Sequence, residues 1–188
     1  MDTVKILAFA GSLRKNSFNR SAIRAAKSLA PSYAQVEITE LNGIPLFNED
    51  EEANPAETVI QFRKKIQAAD AILIATPEYN YSIPGVLKNA IDWASRPYGK
   101  GALIGKPVAI MGASAGMLGT ARAQYDLRRS FVFLNMPALN QPEVMIPFAQ
   151  KAFDEQGNVI DEKAKGKIQE LVTALADWTR KLKLGGII

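Results

Sequence analysis

The stretch VKILAFAGSLRKNSFNRSA, residues 4–22, changes character abruptly at its middle. The segment Val4 to Ala10 is apolar apart from Lys5, and such a run is typical of a strand buried on both faces of a parallel sheet. Gly11 ends the run, and hydroxyl, amide and cationic side chains follow before apolar residues with helical spacing begin after Asn19. The stretch therefore predicts a strand, a loop rich in hydrogen-bond donors, and a helix.

The order of strand, loop and helix repeats along the whole chain. Further strands are predicted at residues 35–41, 70–77, 106–114 and 137–141, and helices at 19–30, 55–68, 84–95, 119–135 and 162–182. Residues 143–161 are predicted to form an irregular loop with a turn at 156–158. Strands that alternate with helices form right-handed βαβ units, so we predict an α/β fold with a doubly wound, five-stranded parallel sheet and helices on both faces.

Length and composition indicate one domain. With 188 residues, of which 47% are hydrophobic and 22% charged, the chain is long enough for a single well-packed core, and we expect one soluble domain over residues 1–188. The first apolar run lacks the cleavage site of a secretory leader, and no run reaches the roughly 18 apolar residues of a membrane span. We therefore expect a cytoplasmic protein without a membrane partner.

Two residue types are missing from the sequence. The chain has no cysteine and no histidine, which excludes disulfides, thiolate nucleophiles, Ser-His triads and most zinc or copper sites. Any redox chemistry must therefore come from a bound cofactor. The formal net charge of +4 suits an anionic ligand, but the Lys and Arg residues are scattered without interleaved aromatic residues, so nucleic acid is not an expected partner.

The loop after the first strand suits an anion. Ligands of doubly wound sheets bind beyond the carboxyl ends of the strands, and a helix N-terminus at that place presents unpaired N–H groups and a partial positive charge. Ser12, Arg14, Ser17 and Asn19 add side-chain donors, which favours a phosphate. The loop has neither the Gly-Lys-Ser/Thr of a Walker loop nor GxGxxG spacing. The alternative is an ordinary turn in which Ser or Asn caps the helix.

The loops after the third and fourth strands also differ from plain connections. TPEYNYSIPGVLKNAIDW, residues 76–93, begins with two tyrosines, two prolines and Asn80, which form a stiff surface suited to a flat heterocycle. GASAGMLGT, residues 112–120, is small enough for backbone amides to approach a ligand closely. The alternatives are that Tyr79 and Tyr81 are packing residues, that Glu78 is simply solvated, and that the small residues serve close packing.

Taken in order, GSLRKNSFN, TPEYNYSIPGVLKNAIDWASRP and GASAG resemble the NAD(P)H-dependent FMN reductases, flavodoxin-like enzymes that include quinone, azo-dye and chromate reductases. The resemblance covers nearly the whole chain and implies the strand order 2-1-3-4-5. It also implies that the first loop surrounds the FMN phosphate, that residues 77–80 line the isoalloxazine, and that the third motif meets its pyrimidine end. The candidate cofactor-binding residues are Ser12, Leu13, Arg14, Lys15, Asn16, Ser17, Phe18, Asn19, Pro77, Glu78, Tyr79, Asn80, Ser114 and Gly116.

The function implied by this resemblance is transfer of a hydride from NADPH or NADH onto FMN and of electrons to a small acceptor such as a quinone, an azo compound or chromate. The flavin does the chemistry, so no side chain is expected to act as a catalytic acid or base. One alternative is a flavodoxin-type electron carrier, although flavodoxins tend to be acidic and this chain is basic. Another is a serine hydrolase that uses Ser12 or Ser114 with a lysine base.

The resemblance further implies a homodimer or homotetramer with flavin sites near subunit contacts. Arg122, Tyr125 and Arg128 share one face of the helix predicted at 119–135, and this face is either solvated surface or a subunit interface. Glu143 is a candidate partner for the same face. Asp92 and Arg96 have the spacing of a surface ion pair on a helix.

Overall fold

The computed structural model describes residues 3–188. It contains a sheet of five parallel strands in the order β2-β1-β3-β4-β5, so the predicted α/β fold and the strand order are confirmed. The strands are β1 (Val4–Ala10), β2 (Ala34–Ile38), β3 (Ala71–Ala75), β4 (Val108–Ala113) and β5 (Val144–Ile146). The helices are α1 (Phe18–Leu29), α2 (Glu57–Ala68), α3 (Gly85–Ala94), α4 (Ala121–Phe133), α5 (Ala149–Ala152) and α6 (Glu162–Leu184), with a short 3-10 helix at Glu49–Glu51.

Alternate side chains of the central strands pack into two cores, one on each face of the sheet. Ile6 and Leu73 belong to the core shared with α1 and α6. Leu7 and Phe9 belong to the core shared with α2, α3 and α4, where Phe9 meets Phe62 edge to face at 5.5 Å between ring centroids. Burial of one such side chain stabilises the fold by about 1.5–3 kcal/mol. Because both faces are covered, the central strands are continuous apolar runs.

The register of the strands brings their carboxyl ends to one edge of the sheet. Ala10 of β1 pairs with Ala75 of β3, which pairs with Met111 of β4. The ladder continues one residue further, since the Gly11 N–H donates to the Ala75 carbonyl at 2.8 Å and the Thr76 N–H donates to the Met111 carbonyl at 2.9 Å. The loops that follow β1, β3 and β4 therefore begin side by side.

The prediction of a fifth strand at residues 137–141 is wrong. Strand β5 lies at Val144–Ile146, inside the segment predicted to be an irregular loop. Within the described part of the chain, residues 137–141 contribute one bridge, between Ala138 and Val108 at the start of β4. Both ends of β5 are buried whereas residues 140 and 141 are exposed. Burial of apolar side chains therefore decides where this strand forms, and Pro142, which has no N–H for a ladder, separates it from the earlier bridge.

The helices lie close to their predicted positions. The structure differs from the prediction in short elements and in one ion pair. Helix α5 was not predicted, whereas the turn at 156–158 is present, with Gly157 at φ +81°. The predicted pair between Asp92 and Arg96 is wrong, because Lys88, one turn earlier on α3, contacts Asp92 at 2.8 Å. Arg96 lies beyond the end of α3 and instead lies 3.4 Å from Glu49. None of the helices in residues 3–188 is long and apolar enough to cross a bilayer.

Candidate active site

A cavity of about 550 Å³ opens at the carboxyl ends of β1, β3 and β4. The loops that follow these strands form its walls, which is where doubly wound sheets bind their ligands. Its size falls within the roughly 300–1,000 Å³ typical of small-molecule sites. The lining residues are Ser12, Arg14, Ser17, Phe18, Asn19, Pro77, Glu78, Tyr79, Ala113, Ser114, Ala115, Gly116, Met117, Leu118, Thr120 and Arg122.

The loop between β1 and α1 forms a wall suited to an anion. Ser12 and Ser17 are each 4% exposed, and Ser17 caps α1, its hydroxyl accepting from the Arg20 N–H at 3.4 Å. The backbone N–H groups of residues 13, 15 and 16 make no hydrogen bond to any atom of residues 3–188. Unpaired N–H groups at a helix N-terminus, hydroxyls and the guanidinium of Arg14 match the oxygens of a phosphate. The capping alternative and the anion prediction are therefore compatible, because Ser17 caps α1 and also lines the cavity.

Asn19 uses its side chain to hold the structure together. It is 3% exposed, its Nδ2 donates to the Ala113 carbonyl at 2.9 Å, and its Oδ1 accepts from the Ala113 N–H at 2.9 Å. The Asn19 side-chain amide therefore makes the two hydrogen bonds to Ala113, the last residue of β4, that a neighbouring strand would otherwise make. The predicted contact of Asn19 with the FMN phosphate is correspondingly limited to its backbone N–H, because the side chain is already bonded to β4.

The loop after β3 begins with a tight hairpin whose central residues are strained. Tyr79 and Ser82 exchange two backbone hydrogen bonds at 3.0 Å each. Asn80 and Tyr81 between them both lie in the left-handed region, with φ of 51° and 69°. Asparagine tolerates this conformation, but for tyrosine it is unfavourable and persists only where other contacts impose it. The Arg122 guanidinium, 3.5 Å from the centroid of the Tyr81 ring, is one such contact, and the hydrogen bond from the Ser82 hydroxyl to Asp126 is another.

Glu78 anchors this loop to helix α4. Its side chain is 7% exposed and forms an ion pair with Arg122. The carboxylate also accepts hydrogen bonds from the N–H groups of Arg122 and Ala123, at 3.1 and 3.2 Å, in the first turn of α4, where a negative charge is stabilised by the helix dipole. The hydrogen bond that the Arg122 side chain donates to Glu78 raises the pKa of Arg122. The alternative that Glu78 is simply solvated is therefore wrong.

The loop between β4 and α4 presents backbone to the cavity. Gly112 has no room for a side chain, since a Cβ there would lie 1.7 Å from the Thr120 hydroxyl and 2.6 Å from the Thr76 carbonyl oxygen. A Cβ on Gly116, in contrast, would meet no atom nearer than 3.9 Å. The N–H groups of residues 115–117 have no hydrogen-bond partner among the described residues. Open amide donors of this kind suit the carbonyl oxygens of a heterocycle.

The segment after β5 holds this loop from behind. The Ala149 N–H donates to the Ser114 carbonyl at 2.9 Å, and the Phe148 N–H donates to the Gly116 carbonyl at 3.2 Å. The Ser114 N–H in turn donates to the Ile146 carbonyl at 3.1 Å. Three backbone hydrogen bonds therefore fix the cavity loop to β5 and α5.

The structure brings most of the predicted site residues together. Those that line the cavity are Ser12, Arg14, Ser17, Phe18, Asn19, Pro77, Glu78, Tyr79, Ser114 and Gly116. The predicted residues outside its lining are Leu13, Lys15, Asn16 and Asn80. The sequence-based prediction missed Ala113, Ala115, Met117, Leu118, Thr120 and Arg122. All six lie within or directly after the GASAG motif, so extending that motif to the start of α4 could have found them.

A serine hydrolase is not supported by the arrangement of the serines. Ser12 stands three residues before Lys15, a Ser-x-x-Lys spacing, but Lys15 is exposed and lies outside the cavity lining. The Ser12 hydroxyl instead accepts from the Arg14 N–H at 3.3 Å. The Ser114 hydroxyl donates to the Gly116 carbonyl at 3.3 Å, so neither serine is bonded to a base.

Comparison with known proteins identifies relatives along the whole chain. The family model of the NADPH-dependent FMN reductases matches residues 4–151. An NAD(P)H-dependent FMN reductase of Pseudomonas aeruginosa is 53% identical over 183 residues, which cover 97% of this chain and 98% of that protein. A 2-hydroxy-1,4-benzoquinone reductase of a Burkholderia species is 42% identical, with 94% of this chain and 97% of that protein covered.

A solved structure agrees with these relatives. FerB, a flavoenzyme NAD(P)H:(acceptor) oxidoreductase of Paracoccus denitrificans, is similar with a TM-score of 0.87 and 36% sequence identity, covering 95% of this chain and 98% of that one. The family match includes all three loops of the cavity. The chain therefore belongs to the NADPH-dependent FMN reductase family.

Proposed function

We propose that the chain is an FMN-dependent oxidoreductase that passes a hydride from NADPH or NADH through FMN to small acceptors, in particular quinones. The observation that carries the proposal is the single cavity in which an anion-binding loop, the segment 77–79 and a row of open amides meet. The names of two relatives support it, since one is an NAD(P)H-dependent FMN reductase and another a 2-hydroxy-1,4-benzoquinone reductase.

The donors around the cavity fit the parts of FMN. Ser12, Arg14, Ser17 and the unpaired N–H groups before α1 would hold the phosphate. Residues 77–79 would border the flat ring system, and the N–H groups of residues 115–117 would donate to the oxygens of its pyrimidine end. When bound, FMN supplies hydride acceptance from the nicotinamide and electron transfer to the acceptor.

The chain's own residues bind and orient rather than transfer protons. Glu78 is the carboxylate that lines the cavity, and it is committed to Arg122 and to the first turn of α4. The sequence offers no imidazole and no thiol. We therefore assign no side chain a role as a catalytic acid or base. With FMN bound, the amides of residues 115–117 would stabilise negative charge at its pyrimidine end, which is electrostatic stabilisation by a preorganised backbone.

A flavodoxin-type carrier would use the same cavity but would not oxidise NAD(P)H. Membership of a reductase family favours the enzyme. The test is to load the purified protein with FMN and to measure the oxidation of NADPH and of NADH with and without 1,4-benzoquinone. The loss of absorbance by the reduced nicotinamide, at about 340 nm, follows the reaction. We expect quinone-dependent oxidation of at least one nucleotide. An FMN-loaded protein that oxidises neither would contradict the proposal and favour the carrier.

We propose further that the enzyme is a cytoplasmic homodimer or homotetramer. The helix α4 exposes Tyr125, Val132 and Phe133 at 58%, 82% and 70%, and Tyr98 lies beside Phe133 with 6.1 Å between ring centroids. Exposed large apolar side chains on one helix are typical of an interaction surface, and a self-complementary surface suits a symmetric dimer. The cytoplasmic location rests on the need for a supply of reduced nicotinamide nucleotide.

A further inference from the structure

A second cavity, of about 540 Å³, lies on the outer side of β5, which is the edge strand of the sheet. It is formed by β5, the short helix α5 and the start of α6, and it shares no lining residue with the candidate active site. We call it the β5 groove. Its residues are Glu143, Val144, Met145, Ile146, Pro147, Phe148, Lys151, Ala152, Asp161, Lys163, Ala164 and Lys167.

The floor of the β5 groove is apolar. Val144, Ile146, Ala152 and Ala164 are all buried, with exposures between 1% and 8%. Phe148 stands at the rim, and its side chain is 45% exposed. A concave apolar surface of this size takes up an aromatic or short hydrocarbon group through the hydrophobic effect.

The rim of the groove has unbalanced charge. Lys151 and Lys163 pair with no carboxylate of residues 3–188, and Lys151 lies 5.9 Å from the centroid of the Phe148 ring. Lys167 contacts Glu170 at 2.7 Å on the exposed surface of α6. Three lysines therefore line the groove, and two of them, Lys151 and Lys163, are unpaired within the described residues.

The two acidic residues of the groove are already engaged. The Asp161 carboxylate accepts the N–H of Ala164 at 2.6 Å and so caps α6. The Glu143 carboxylate accepts the hydroxyl of Tyr125, on α4, at 3.0 Å. Both carboxylates keep their charge, but their oxygens are occupied by these contacts, so the three lysines against two carboxylates leave one net positive charge on the lining.

We propose that the β5 groove binds a small amphipathic anion, an organic acid with an aromatic or short hydrocarbon body and one carboxylate or sulfonate group. The body covers the apolar floor, and the anionic group lies among the three lysines. The proposal is independent of flavin chemistry, since it concerns none of the residues of the candidate active site.

Other occupants match these features less well. An extended peptide added to β5 would find a strand of only three residues, which offers few backbone groups for pairing. Inorganic phosphate would use the lysines but would leave the apolar floor in water. An uncharged hydrocarbon would leave the ammonium groups without a partner.

The test uses the FMN-loaded protein and the fluorescent probe 8-anilinonaphthalene-1-sulfonate. We expect saturable binding with one site per chain. The triple variant Lys151→Gln, Lys163→Gln, Lys167→Gln should weaken this binding about tenfold, because it removes three charge interactions that are each weakened by solvent. A matched triple variant, Lys27→Gln, Lys64→Gln, Lys181→Gln, removes the same charge from exposed positions elsewhere and should bind the probe as the wild type does. Quinone reduction should be unchanged in both variants.

Competition separates the anionic group from the body of the ligand. We expect 4-tert-butylbenzoate to displace the probe and 4-tert-butylbenzamide, which has the same shape without the charge, to displace it far less. Higher salt should weaken binding, because the Debye length falls from about 10 Å at 0.1 M to about 3 Å at 1 M. The proposal is overturned if the wild type does not bind the probe, if both triple variants bind it equally, or if the amide competes as well as the acid.

Discussion

Glu78 and Arg122 fasten the loop after β3 to helix α4. The buried carboxylate pairs with the guanidinium and accepts two backbone N–H groups of the helix, while the same guanidinium lies against the Tyr81 ring. One ion pair thus connects the loop after β3 to the first turn of the helix that follows the β4 loop. The contact between Arg122 and the Tyr81 ring, together with the two backbone hydrogen bonds between Tyr79 and Ser82, supports the left-handed conformation at Tyr81.

We expect Glu78→Gln to lower kcat with a quinone by less than about tenfold, because glutamine keeps an oxygen for the two N–H groups and no proton transfer depends on the carboxylate. Glu78→Ala removes the acceptor altogether, and it should lower the free energy of unfolding by about 1–3 kcal/mol. Steady-state kinetics and urea unfolding measure the two effects. A loss of about 10²–10⁴-fold with glutamine would identify a general acid or base and contradict the positioning role.

Arg14→Ala should weaken FMN binding by roughly 1.5–3 kcal/mol, the value of one charge-assisted hydrogen bond. The matched control is Lys15→Ala, which removes a neighbouring cation whose side chain does not line the cavity. Flavin fluorescence titration of the apoprotein measures both. Equal affinities for the Arg14 variant and the wild type would remove Arg14 from the phosphate site.

Asn19→Leu should destabilise the protein by at least about 1–3 kcal/mol, because a side chain of similar size leaves the Ala113 N–H and carbonyl unpaired in a buried position. Asn16→Leu is the control, since Asn16 is exposed and a substitution there should change stability by about 0.5 kcal/mol or less. Urea unfolding followed by circular dichroism distinguishes the two. Similar midpoints would show that the Asn19 amide contributes nothing to the join between α1 and β4.

Light scattering at micromolar concentration should show a dimer or tetramer. Substitution of the exposed apolar pair on α4, Val132→Lys with Phe133→Lys, should shift the protein to monomer because two buried charges are unfavourable in an apolar interface. Leu184→Lys, at an equally exposed apolar residue on α6, should leave the assembly intact. A wild type that is monomeric with full activity would exclude the oligomer proposal.

The kinetics should be ping-pong. If the protein loops cover one face of the bound flavin ring, donor and acceptor would both need the other face and would bind in turn. The sequence has no thiol or imidazole to hold electrons or protons between the two half-reactions. We expect parallel lines in double-reciprocal plots of NAD(P)H against quinone. Intersecting lines would mean that both substrates are bound together, and the shared site would have to be abandoned.

Much of the fold is predictable because it follows from periodicity. The central strands are apolar runs closed by small or polar residues, and helices such as α1 have an apolar stripe next to polar positions, so their type and approximate limits are visible in the sequence. Strand β5 is not, because three residues are too few for a period and its position depends on which apolar side chains reach the core. Residues 137–141 look as strand-like in isolation, but tertiary packing selects Val144–Ile146.

The candidate site, like the fold, was predictable from the sequence only in part. Donors that lie next to one another in sequence, as in residues 12–19, could be found by inspection. The pairing of Glu78 with Arg122 joins the loop after β3 to helix α4, and the bonds between Asn19 and Ala113 cross from α1 to β4, so neither leaves a local signal. Side-chain roles that depend on such partners need the structure, which is why Glu78 was open to being read as solvated.

The three backbone hydrogen bonds that join Ser114 and Gly116 to β5 and α5 make one piece of chain the common wall of two cavities. A ligand in the β5 groove that moved Phe148 would disturb the hydrogen bond from the Phe148 N–H to the Gly116 carbonyl, which lies in the loop proposed to meet the flavin. Thermodynamic reciprocity then applies: whatever factor such a ligand imposes on FMN affinity, FMN imposes on the affinity for that ligand. FMN titration with and without a saturating groove ligand would measure that factor, and equal FMN affinities would mean that the shared wall does not couple the two cavities.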